Sequence, residues 1–92
     1  MIRAEEAKEK SKYNFHELVE KQARAMLRQV EENLQDAIEH GKNDFNMYIS
    51  AEITNQAIYA VIKTLNDLGY NTILKYSPEF GYLSRELKVN FK

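Results

Sequence analysis

A chain of 92 residues is long enough for one folding unit with a modest core and too short for two. Its 13 basic and 14 acidic side chains nearly cancel, so no global field draws in nucleic acid or anionic lipid, and any such binding needs a local patch. With no cysteine, a disulfide framework, a thiolate metal site and a cysteine nucleophile are all excluded, and a reducing compartment suits the composition.

The N-terminal stretch MIRAEEAKEKSKYN mixes acids and bases without an apolar run, unlike a secretory signal. No segment approaches the length and hydropathy of a membrane span. From Arg3 to His40 there is neither Pro nor Gly, and strong helix formers dominate, so a helix is expected over 3–40 with Gly41 as its stop. Phe15, Val19, Ala23, Met26, Val30, Leu34 and Ala37 recur in steps of three and four and trace one apolar stripe. Leu18, Leu27 and Ile38 widen it.

An unbroken helix over that span is about 57 Å long at the standard rise, whereas a compact chain of this size is roughly 30 to 35 Å across. Two outcomes are open. The helix breaks near 11–14, with Asn14 as N-cap and Glu17 three residues on, or its first turns project and dock on another subunit through Phe15, Leu18, Val19, Met26, Leu27 and Val30. The small residues Ala4, Ala7 and Ser11 fit either outcome.

After Gly41 the period changes. FNMYIS alternates as a half-buried strand does, giving a strand over 43–50. Ser50 is then the expected cap of a second helix over 51–68, with Ile53, Ala57, Ile58, Val61, Ile62, Leu65 and Leu68 on its apolar face. Gly69 ends it, and a Schellman motif there would lay Tyr70 against Leu65. Extended segments over 70–77 and 84–91 flank SPEFG, in which Pro78 suits the second position of a turn and Gly81 a positive φ. They form a hairpin.

The order helix, strand, helix, strand, strand predicts a single α+β domain over 1–92, with a three-stranded sheet and helices on one face. A right-handed crossover leaves the first two strands parallel, and the third lies outside the second or between them. The clean alternation of Leu87, Val89 and Phe91 favours the central place, order 1-3-2.

AEEAKEKS at the start, the long helix closing on AIEHGK, the short strand ending YIS and the LNDLGY exit into a hairpin together resemble small proteins encoded by phages and prophages of Gram-positive bacteria. The resemblance covers nearly the whole chain. It implies a phage context, the host cytoplasm as location, and little chemistry, since most such proteins have no assigned activity.

The residues themselves offer few reactive groupings. HELVE, from His16 to Glu20, has the outline of a helical zinc motif in which Glu20 replaces the second imidazole. His40 stands 24 residues further along the same helix, roughly 36 Å away, too far to complete it. Lys21, Arg24 and Arg28 form a basic line that Glu17, Glu20, Glu31 and Glu32 neutralise at helical spacing. Neither a metal, a cofactor nor a catalytic residue is indicated, and no enzyme is expected.

A hairpin cluster remains. Lys75, Arg85 and Lys88, with Lys92, could share the sheet surface turned from the helices, and Tyr76, Phe80 and Tyr82 lie near its tip. Cations interleaved with aromatics suit a nucleotide or single-stranded nucleic acid, although lysines at strand edges also guard against unwanted pairing. The first functional reading is a non-catalytic phage accessory protein that self-associates through the long helix and binds a host or phage macromolecule. The alternative is a binding module for a nucleotide or single-stranded nucleic acid using Lys75, Tyr76, Tyr82, Arg85 and Lys88, with sequestration of a signalling nucleotide as a counter-defence case.

Overall fold

In the computed structural model, which describes residues 1–79 and 82–92, the first helix runs without a break. This helix, α1 (Ala4–Glu39), holds 36 residues. Ser11, Tyr13 and Asn14 each cost only a few tenths of a kcal/mol relative to better helix formers, and extending an existing helix adds a hydrogen bond per residue. Of the two outcomes open from the sequence, the structure shows the unbroken helix and not the break with Asn14 as cap. Glu5 and Glu6 lie in the first turn, where the positive helix end favours acids.

At the other end Gly41 takes a φ of 67°, and the N–H groups of Lys42 and Gly41 donate to the carbonyls of Ala37 at 2.9 Å and Ile38 at 3.1 Å. That pair of bonds is a Schellman motif. His40 Nδ1 lies 2.7 Å from the Asp36 carbonyl and donates to it, holding the imidazole against the helix end.

The strand β1 (Asp44–Ile49) follows. The second helix, α2 (Asn55–Asp67), starts four residues later than a cap at Ser50 would place it. Thr54, not Ser50, is the N-cap, and its hydroxyl accepts the Ala57 N–H at 3.3 Å. The residues between are turned instead, with the Ile53 N–H donating to the Ser50 carbonyl at 3.1 Å. α2 ends as expected. Gly69 has a φ of 96°, the Gly69 and Tyr70 N–H groups donate to Asn66 and Leu65, both at 3.0 Å, and Tyr70 packs on the core with its ring 6.3 Å from that of Phe91.

Strands β2 (Asn71–Glu79) and β3 (Tyr82–Asn90) form the hairpin, and β3 also pairs with β1, so the sheet is antiparallel in the order β1-β3-β2. Pro78 sits within β2, opposite Leu83, rather than in the turn. An edge strand tolerates this, because a proline there removes an N–H that no neighbour needs. The expectation of a positive φ at Gly81 lies outside the described residues, as does Phe80.

Both helices cover one face of the sheet: α1 packs on α2 and β1, and α2 on β2. Met26 and Val30 of α1, Ile58, Val61 and Leu65 of α2, Met47 and Ile49 of β1, and Leu87 and Val89 of β3 make the core. Burying each such side chain contributes about 1.5 to 3 kcal/mol. The core ends near Val19. Every residue from 1 to 18 is exposed, so the first turns of α1 project from the domain, and the molecule measures 58 × 33 × 17 Å. Its radius of gyration, 16.2 Å, exceeds the roughly 12 Å of a compact chain of this length.

Candidate functional site

The hairpin cluster does not assemble on one surface. Pairing places Tyr48, Glu86 and Lys75 in one row across the sheet and Asn46, Lys88 and Ile73 in the next, all on the face turned from the helices. Lys75 and Lys88 are thus interleaved with Glu86 and Asp44, and Lys88 Nζ lies 3.9 Å from Asp44 Oδ2. The charge there is balanced, and little of it is left for phosphate.

Arg85 is on the other face, in phase with Leu87 and Val89, and only 8% exposed. Its guanidinium donates to the Ser50 carbonyl at 2.7 Å and to Asn55 Oδ1 at 3.1 Å. Among the described residues no carboxylate comes within ion-pairing distance of it. Placing Arg85 with Lys75 and Lys88 on the outer surface is therefore corrected: it ties the segment before α2 to the central strand. Tyr76 pairs with Arg85 across β2 and β3. Interaction of its phenol with that of Tyr59 in α2, with some desolvation, pushes the Tyr76 phenol above its ordinary range, and Arg85 pulls it back in part. The side chain of Tyr82 lies outside the described residues.

Gln22 holds the same segment from α1. Its Oε1 accepts both the N–H and the hydroxyl of Thr54, each at 2.9 Å, and its Nε2 donates to the Glu52 carbonyl at 2.9 Å. The segment 50–54 is gripped from two sides by Gln22 and Arg85. This is why it does not continue the helix.

Of the residues expected at an intermolecular interface, Met26 and Val30 are 2% exposed in the chain's own core, and Leu27 packs against it. They are corrected to intramolecular positions. Val19 is half-buried where the domain begins, while Phe15 and Leu18 remain 43% and 45% exposed. His16 and Glu20 stand on the same exposed arm, and among the described residues no three side chains of His, Asp or Glu gather as a metal site would require. Among those residues, too, no helix is long and apolar enough to cross a membrane.

The arm is the surface this geometry singles out. Ala4, Ala7, Ser11, Phe15 and Leu18 lie on one side of it, spaced three and four apart. No core covers them. Compared with known protein families, with curated proteins and with solved structures, the chain finds no match.

Proposed function

We propose that this is a non-catalytic binding protein that pairs with a second copy of itself through the projecting arm of α1. The observation that carries the reading is the order of sizes along the exposed stripe: Ala4 and Ala7, then Ser11, then Phe15 and Leu18. Two such arms laid antiparallel about Ser11 set Ala4 against Leu18 and Ala7 against Phe15, small against large. A two-fold contact requires this self-complementarity, and the small residues let the helices approach while the large ones fill the gap. The domains then stand at opposite ends of the pair, each free to engage a further macromolecule. The resemblance to phage and prophage proteins supports a host or phage protein as that macromolecule.

Size exclusion with light scattering at micromolar concentration is expected to show a dimer, and a sharp monomer peak would defeat the proposal. The reading as a nucleotide or single-stranded nucleic-acid module is less well supported, because Arg85 faces away from Lys75 and Lys88 and is already engaged. A thermal-shift screen with nucleotides and a short oligonucleotide tests it, since bound ligand raises the melting temperature by mass action.

A further inference from the structure

The two outer edges of the sheet differ. The free edge of β2 carries Lys75 and Pro78, both of which discourage another strand from adding. β1, by contrast, reads Asp44-Phe45-Asn46-Met47-Tyr48-Ile49 and contains neither lysine nor proline. The Phe91 N–H donates to the Asn43 carbonyl at 2.9 Å, which marks that pair as hydrogen-bonded. Because bonded and unbonded pairs alternate in an antiparallel ladder, Phe45, Met47 and Ile49 bond to β3. Asp44, Asn46 and Tyr48 turn their N–H and C=O groups outward. Among the described residues no hydrogen bond reaches them.

Beside this edge runs an open groove of about 480 Å³ between β1 and α1, bordered by Gln29, Glu32 and Asp36 of the helix and by Asn46, Met47 and Tyr48 of the strand. We propose that the edge and groove are a docking site for an extended basic peptide segment, which adds as a fourth strand beside β1. Three outward N–H and C=O pairs supply the ladder. Alternate side chains of the segment point toward α1, where Glu32 and Asp36 stand with no lysine or arginine in this part of the groove. Lys42 borders the edge only further along, near Asp44. Asp36 is 3.4 Å from His40 on an exposed surface and so is not strongly neutralised, while Asp44, 3.9 Å from Lys88, lies outside this part of the groove. Charge also decides against a second copy here. Joining two β1 edges would bring Glu32 and Asp36 of both copies along one seam, and like charges in apposition oppose association. The proposal is independent of pairing through the arm, which uses a different part of α1.

The test uses the full chain and two fluorescent nine-residue peptides, one alternating lysine and valine, the other glutamate and valine. Fluorescence anisotropy at low salt is expected to show binding of the lysine peptide that weakens as salt is added, and none of the glutamate peptide. Amide exchange followed by NMR is expected to slow at Asp44, Asn46 and Tyr48 when the lysine peptide is bound. Asn46→Pro removes one outward N–H without touching the β3 ladder, and Glu32→Lys with Asp36→Lys reverses the groove's charge on an exposed surface. Each is expected to weaken binding at least tenfold. If Asn46→Pro fails to fold, the charge reversal decides alone. Equal binding of both peptides, binding unchanged by charge reversal, no binding at millimolar peptide, or self-association of the free chain abolished by Asn46→Pro would each overturn the proposal.

Discussion

Gln22 and Arg85 each place a polar head where the surrounding pattern calls for an apolar side chain, and both hold the segment that leads into α2. Gln22 falls between Val19 and Met26 on the stripe of α1, and Arg85 continues the inward alternation of Leu87 and Val89 back by one step. Polar atoms so placed need partners, and they find them in Thr54, Glu52, Ser50 and Asn55. Gln22→Ala leaves the partly buried Thr54 N–H without its acceptor and is expected to cost about 1 to 2 kcal/mol in urea unfolding. Thr54→Ala removes the cap of α2 and is expected to cost about 1 kcal/mol. Because the two side chains share a bond, the double variant should lose less than the sum of the single losses. Tyr76 offers a titration. Its folded pKa is raised, so the stability tied to its neutral form is complete below the unfolded value of about 10 and is lost as pH rises through the folded value. Tyr59→Phe removes the neighbouring phenol that is the main cause of this rise, and phenolate absorbance should then show Tyr76 ionising at lower pH.

α1 is two helices in one in its surroundings, though not in its backbone. From Val19 onward its stripe is roofed by β1 and α2, while up to Leu18 it meets only solvent. The same substitution should therefore behave differently on either side. Val30→Glu buries an unpaired carboxylate in the apolar core and is expected to cost at least about 3 kcal/mol, visible as loss of cooperative unfolding by circular dichroism. Leu18→Glu touches no core. It should leave helicity and melting of the isolated chain nearly unchanged while shifting sedimentation from dimer to monomer. A loss of folding in both, or of dimerisation in neither, would contradict this division of the helix.

At the scale of the whole molecule the elongated shape follows from one choice, to continue α1 past the edge of its domain. The excess of 16.2 Å over the radius of a compact chain is that arm. If two arms cross at Ser11, the two-fold axis passes through that residue and brings its two copies together. The chain has no cysteine of its own, so Ser11→Cys should yield a single cross-linked dimer under mild oxidation. Tyr13→Cys, on the far side of the same helix, should not. The two free sheet edges add a second contrast at this scale: β2 carries the residues that refuse a neighbour, and β1 carries none of them.

Periodicity by itself determined the element order and the apolar face of each element, because spacing of three to four or of two states directly which side chains share a face; glycine's conformational freedom marked both helix stops, and the alternation of the last strand favoured the 1-3-2 order that the sheet has. Local chemistry did less well wherever a distant group intervened. Ser50 is as good a cap as Thr54 in isolation, and only Gln22 from α1 and Arg85 from β3 decide between them. SPEFG carries turn residues, yet Pro78 was drawn into β2 once β2 became an edge. Arg85 looked like a partner for Lys75 until the register put it on the opposite face. Which half of α1 is covered was likewise a tertiary matter: a stripe records which way a helix faces, and the reach of the sheet beneath it sets how much of that stripe is buried.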